Sequence, residues 1–190
     1  MRRSLLMVLA ACILAQVARA QGDQPPPPNP LEIFLRLAAL VGQPARALAT
    51  TWPVAVAAGA RETRLELTGA DRLLVTLGTA SSGGVSRVEG VTLTERLPDT
   101  LALQRRVAAV QAALATRIGV ADRCAGAPGA PAFLFTPHEA TRLWTRGVHG
   151  APTRLTWRVG AAGEYVLLLQ VGAFAVAGVD DVYACGVKMP

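Results

Sequence analysis

The side chains that can do acid–base chemistry are few in this 190-residue chain, which has only two histidines, His138 and His149. His138 follows Thr136 at a predicted helix start, where the positive end of the helix dipole favours the neutral imidazole that a general base requires. Either histidine, paired with an aspartate, would give the acid–base pair of a hydrolase. An exposed polar residue is the simpler interpretation of both.

Metal and nucleophile motifs are weaker still. His138, His149, Asp180 and Asp181 have ligand chemistry, but no i, i+4 histidine pair, no CxxC spacing and no EF-hand ligand order connects them. The sequence around Ser86 lacks the second glycine of a nucleophile elbow, and no phosphate-binding or dinucleotide-binding glycine loop follows a predicted strand. The sequence therefore predicts no metal, no cofactor and no catalytic residues.

A ligand site built from aromatic rings and arginines is the remaining candidate. Trp144 and Trp157 flank the loop that carries His149, and Arg154 and Arg158 follow it. Stacking and positive charge are typical of sugar or anion sites. Trp157 alternates with apolar residues and is expected in the core. The candidate ligand-binding residues are therefore Trp144, His149, Arg154 and Arg158.

The first twenty residues have the layout of a secretory signal peptide. Arg2 and Arg3 form a basic start, residues 5–17 are an apolar run, and Ala18-Arg19-Ala20 is a small-x-small cleavage site. We expect cleavage before Gln21 and a periplasmic or secreted protein. The alternative is a lipoprotein anchored through Cys12, because Leu9-Ala10-Ala11-Cys12 matches that signal; the apolar run that continues past Cys12 argues against it.

Two cysteines remain after cleavage at residue 20, namely Cys124 and Cys185. Free thiol pairs rarely persist in an oxidising compartment. We therefore predict a Cys124–Cys185 disulfide that ties a loop after the second helix to the end of the chain.

Composition excludes several classes of protein. With 52% hydrophobic and 17% charged residues, the chain is not disordered. The formal charge is +6, but no basic patch with interleaved aromatic residues occurs, so nucleic-acid binding is not expected. No long apolar stretch follows the signal peptide, so we expect no transmembrane segment in the mature protein.

The helices predicted downstream carry clear end signals. Residues 21–30 form a proline-rich leader, and residues 31–190 are expected to form one α+β domain. Asn29, Pro30 and Glu32 mark the start of a helix at 30–42, an apolar stripe predicts a second at 98–118, and a Thr136–Glu139 capping box predicts a third at 137–146.

A period of two indicates the strands. Alternation runs from 64 to 95 with glycine turns at 69 and 83–84, and returns at 153–159; the run at 165–171 is apolar on both faces, which is typical of a central strand covered on both sides. Short connections imply antiparallel neighbours. We predict an antiparallel sheet of five to seven strands with three helices packed on it. The expected core includes Leu37, Val107, Val110, Leu114, Trp157, Leu167 and Leu169.

These features favour an exported, non-catalytic module that binds a protein, an envelope component or a small ligand. Two alternatives remain open at this point. One is a secreted hydrolase that uses His138 or His149 with an aspartate. The other is an inhibitor or accessory subunit of another secreted enzyme.

Overall fold

A computed structural model of the chain describes residues 29–51, 62–66, 72–79, 86–125, 138–160, 162–176 and 183–185. The signal-peptide and lipidation predictions, residues 21–28 of the predicted leader, and the predictions for Asp180 and Asp181 lie outside these residues. No helix in the described ranges is long and apolar enough to cross a membrane.

Three α-helices and eight strands make up the described part, in the α+β class predicted from the sequence. The helices are α1 (Pro30–Ala38), α2 (Ala47–Thr51) and α3 (Thr100–Ile118). The strands are β1 (Glu62–Glu66), β2 (Arg72–Thr79), β3 (Ser86–Leu97), β4 (Arg123–Ala125), β5 (His138–Trp144), β6 (Thr153–Val159), β7 (Tyr165–Gly172) and β8 (Tyr183–Ala184). Two short 3-10 turns, Val148–Gly150 and Ala173–Val176, complete the set.

The strands form one antiparallel sheet in the order β1-β2-β3-β7-β6-β5-β4-β8. Strands β1 to β3 follow one another in sequence, and so do β4 to β7. Helix α3 connects the two groups by carrying the chain from β3, in the middle, to β4 near the far edge. Strand β7 then returns beside β3, which joins the two groups into one sheet.

The core lies between the helices and one face of the sheet. It forms a single cluster that contains residues of α1, α3 and the central strands, including Phe34, Leu103 and Leu155, each 0% exposed. The seven residues expected in the core are all buried, with exposures of 8% or less. The prediction of helices packed on an antiparallel sheet is therefore confirmed.

Helix α1 begins at its predicted cap, Asn29, and helix α3 begins within two residues of its predicted start, capped by Asp99. The side chain of Asn29 accepts a hydrogen bond from Leu31 N at 3.1 Å, and that of Asp99 accepts one from Ala102 N at 2.7 Å. Helix α1 ends at Ala38 rather than at 42, and turns follow it. Gly42, with φ +85°, donates its N–H to the Val88 carbonyl at 2.8 Å, which draws this segment onto β3.

The third predicted helix is wrong, because residues 138–144 form strand β5. Ala140 pairs with Trp157 and Thr141 with Thr156 on β6, while Thr141 also pairs with Ala125 on β4. Backbone pairing on both sides outweighs a local capping pattern, whose contribution is only about 1 kcal/mol. Cys124, expected in a loop, lies in β4 for the same reason.

Strand β7 is central, as predicted, but no described α-helix covers its second face. Its odd-numbered residues Leu167, Leu169 and Val171 are fully buried beneath the helices. Its even-numbered residues Val166 and Leu168 are only partly buried. The apolar residues on both faces of β7 therefore do not mean that helices cover both faces of this strand.

Candidate functional site

The face of the sheet opposite the helices is the feature that best suits binding. We call the outward-pointing residues of its four central strands the open face. Strand register assigns to it Thr92, Thr94 and Arg96 of β3, Val166, Leu168 and Gln170 of β7, Arg154, Thr156 and Arg158 of β6, and Glu139, Thr141 and Leu143 of β5.

Alternating burial along β3 and β7 and at the end of β6 supports this assignment, since successive strand residues point to opposite faces. On β3, Glu95 is 2% exposed beneath the helices, whereas the next residue, Arg96, is exposed. On β6, Trp157 is buried, whereas Arg158 is exposed. The open face therefore presents charged groups to solvent directly behind a packed core.

One row across the open face carries two arginines. Arg96 pairs with Val166, and Val166 pairs on its other side with Arg158, which in turn pairs with Glu139. Neighbouring strands lie about 4.8 Å apart, so the Cα atoms of Arg96 and Arg158 are about 10 Å apart with Val166 between them. Both arginines are exposed, and Val166 is half-buried.

A third arginine on this face is held in place. Nε and Nη2 of Arg154 donate to Oε1 of Gln170, at 2.9 and 2.6 Å, across the pairing of β6 with β7. Desolvation by burial lowers the pKa of Arg154, and the nearby charge of Glu139 partly offsets that effect. The guanidinium remains a cation at any physiological pH. Arg154 is thus a fixed positive charge.

Beside these arginines, the open-face residues in the middle of the β5–β6 pairing are buried. Thr141 and Thr156 are buried, and their hydroxyl groups share a hydrogen bond of 3.0 Å. Leu143 is also buried. The half-buried residues of the open face therefore lie mainly on β3 and β7, and Arg154 and Arg158 lie beside them on β6.

The ring of Phe174 limits the open face at its other end. Phe174 belongs to the 3-10 turn after β7, and a Cβ atom placed on Gly90 would overlap its ring. Gly90 pairs with Gly172 at the end of the strands remote from Arg96. The arginine row and the aromatic ring therefore lie at opposite ends of β3 and β7.

Trp144 does not join the arginines. It alternates onto the helix side of the sheet, is 4% exposed, and donates its Nε1–H to the Gly119 carbonyl at 2.9 Å. Trp157 faces the same way, and the guanidinium of Arg142 lies 5.2 Å from its ring centroid. Of the four candidate ligand-binding residues, the structure brings Arg154 and Arg158 to one face and places Trp144 on the other.

His149 stands apart from both groups. It is exposed in the 3-10 turn Val148–Gly150 and has a positive φ of 51°. The two aspartates in the described ranges are occupied elsewhere: Asp99 caps α3, and Asp122 accepts hydrogen bonds from Thr145. No group of three metal-ligating side chains occurs among the described residues. His138 begins β5, opposite Val159.

The predicted disulfide connects the last two strands of the sheet. Cys124 on β4 and Cys185, just after β8, lie at bonding distance with their Cα atoms 5.1 Å apart. Cys185 N also donates to the Asp122 carbonyl at 3.2 Å. The bridge therefore holds the end of the chain against the β4 edge of the sheet.

Among the described residues, two of the open grooves lie beside the sheet, and His149 lines neither of these two. One, of about 420 Å³, lies between the alanine-rich side of α3 and residues that include Arg142, Trp144 and Cys185. The other, of about 760 Å³, is lined by Val41, Pro152, Phe174 and their neighbours. Both are largely apolar and shallow, and neither contains an acid–base pair.

An ion pair between the core face of β3 and helix α3 was not predicted from the sequence. Both carboxylate oxygens of Glu95 accept hydrogen bonds from Arg106, one of them from Nε at 2.5 Å. The sequence contains an indication of this pair. Glu95 alternates with Val91 and Leu93 and so faces the core, and Arg106 lies four residues before Val110 and so shares its side of α3.

Comparison with models of protein families, with curated proteins and with solved structures finds no match to this chain.

Proposed function

We propose that the protein is an exported, non-catalytic binding module whose binding surface is the open face of the sheet. The observation that carries the proposal is the row Arg96–Val166–Arg158, in which two exposed arginines border a half-buried apolar side chain behind a closed core. Desolvated apolar contacts combined with guanidinium groups are typical of protein recognition surfaces.

Export is part of the proposal and is supported by the sequence of residues 1–20 and by the cysteine pair. Cys124 and Cys185 lie at bonding distance, and disulfides form and persist mainly in oxidising compartments. The protein acts in the periplasm or outside the cell, after cleavage before Gln21. Lipidation at Cys12 would instead tether the same module to a membrane.

The hydrolase alternative has little support among the described residues. His149 has no carboxylate partner in the described ranges, since Asp99 and Asp122 serve as backbone and hydroxyl acceptors. General acid–base catalysis requires the base within hydrogen-bond reach of its partner and of the substrate. A surface that binds without chemistry explains the observed arrangement more directly.

Site-specific photo-crosslinking in the producing cell tests the proposal. A photoreactive amino acid is introduced at Thr94 on the open face, and at Arg105 on the exposed side of α3 as the matched control. We expect a discrete adduct from Thr94 and none from Arg105. Equal labelling from both positions, or no adduct from Thr94, would contradict the proposal.

A further inference from the structure

We infer that the open face binds an acidic segment of a partner protein, and that Arg96 and Arg158 bind its carboxylates; this inference rests on the proposed function. Both arginines are exposed and lie in one row of the sheet. A guanidinium group binds a carboxylate through two parallel hydrogen bonds, which gives direction as well as charge.

The charge of the open face favours an anionic partner. Its charged residues are Arg96, Arg154, Arg158 and Glu139. Glu139 neighbours Arg158 on β5, but within the described ranges neither Arg96 nor Arg158 makes an ion pair with a carboxylate. The positive charge at the Arg96 end is therefore available to a ligand, whereas the charge of Arg154 is already bound by Gln170.

The spacing defines what such a partner must present. Arg96 and Arg158 are about 10 Å apart across two strand spacings, and Val166 lies between them. Leu168 extends the apolar contact toward the middle of the face. A complementary segment carries two acidic side chains at this separation with an apolar side chain between them, as an extended or helical peptide readily does.

A polypeptide fits these features better than a membrane or a polysaccharide does. Binding to anionic lipid through a basic cluster uses four to eight lysines or arginines, and the open face has three arginines with a glutamate among them. The aromatic residues of β5 to β7, namely Trp144, Trp157 and Tyr165, all alternate to the helix side, so no described ring in the arginine row stacks on a sugar.

The test uses the full-length protein in the cell that produces it, with the photoreactive amino acid at Val166 between the two arginines. Adduct yield is compared between the parent chain and the variants Arg96→Gln and Arg158→Gln, with Arg105→Gln on α3 as the matched control. We expect each open-face variant to lower the yield about threefold to fivefold, the effect of losing one exposed ion pair. Arg96→Lys, which retains the charge, should recover part of it.

The nature of the adduct completes the test. We expect it to be digested by protease and to contain a segment rich in aspartate and glutamate when analysed by mass spectrometry. Unchanged yield in Arg96→Gln and Arg158→Gln, or a lipid or polysaccharide adduct, would overturn the inference while the open face remained a binding surface. No adduct from either Val166 or Thr94 would refute the proposed function itself. Unchanged thermal unfolding of the variants shows that they are folded.

Discussion

The carboxylate of Glu95 is buried beneath helix α3, where the guanidinium of Arg106 donates to both of its oxygens. Glu95 lies between two fully apolar neighbours on the core face, Leu93 and the cross-strand Leu167, and is 2% exposed. This pair fixes the position of α3 over β3 and β7. The next residue of the same strand, Arg96, points to the open face. The ion pair therefore lies on the opposite side of the sheet from Arg96.

Removal of Arg106 is predicted to destabilise the fold strongly. Arg106→Met would leave the Glu95 carboxylate buried without its cation, and we expect a loss of about 3–5 kcal/mol in the free energy of unfolding. Chemical denaturation measures this loss. The adjacent exposed residue supplies the control, because Arg105→Met should change stability by less than about 0.5 kcal/mol.

The double variant Glu95→Met with Arg106→Met separates the ion pair from general packing. Replacing both charges by apolar side chains removes the desolvation cost, so we expect stability close to that of the parent protein. A double variant as unstable as Arg106→Met alone would show that the pair acts through shape rather than through charge.

The disulfide should contribute about 4 kcal/mol to stability. Its cysteines are 61 residues apart, and closing a loop of that length lowers the entropy of the unfolded chain by roughly this amount. Thiol titration of the denatured, unreduced mature protein should find neither Cys124 nor Cys185 free. The paired variant Cys124→Ser with Cys185→Ser should unfold at lower denaturant concentration. A variant as stable as the parent would contradict this account.

Gly172 is predicted to be the least replaceable of the glycines with a positive φ. It has φ +125°, and a Cβ atom there would overlap the Glu89 carbonyl oxygen where β3 meets β7. We expect Gly172→Ala to cost about 3 kcal/mol. Gly163, with φ +77° and no atom within 4 Å of the added carbon, provides the control, and Gly163→Ala should cost about 1 kcal/mol. Equal costs, measured by thermal unfolding, would refute the steric argument.

Processing of the N-terminus is testable without mutation. Cleavage at Ala18-Arg19-Ala20 predicts that the purified mature protein begins at Gln21. Intact-mass measurement and N-terminal sequencing check this directly. A chain that begins with a lipidated Cys12 would show instead that the protein is anchored to a membrane.

Short sequence patterns predicted the elements that depend on interactions between residues close together in the chain. The caps Asn29 and Asp99 lie at or next to the predicted helix starts, and the alternation at 153–159 corresponds to strand β6. The disulfide followed from cysteine number and the inferred compartment. For the caps and for β6, a short stretch of sequence contains most of the physical reason for the structure.

Elements that depend on distant pairing were not predictable in the same way. The sequence at the start of strand β5 has a helix-type capping pattern, and pairing with both β4 and β6 makes the strand extended. The separation of Trp144 from Arg154 likewise follows from that assignment, because a strand sends alternate side chains to opposite faces. The open face was not predicted, because the apolar residues on both faces of β7 resemble those of a strand that is packed against other elements on both sides.

The pairing of β3 with β7 also limits the rate at which the chain folds. Every pair in this seam, from Leu97–Tyr165 to Gly90–Gly172, joins residues separated by helix α3 and strands β4 to β6. Such sequence-distant pairing slows folding into the range of milliseconds to seconds or longer, since the entropy of closing the loop is lost before the contacts form.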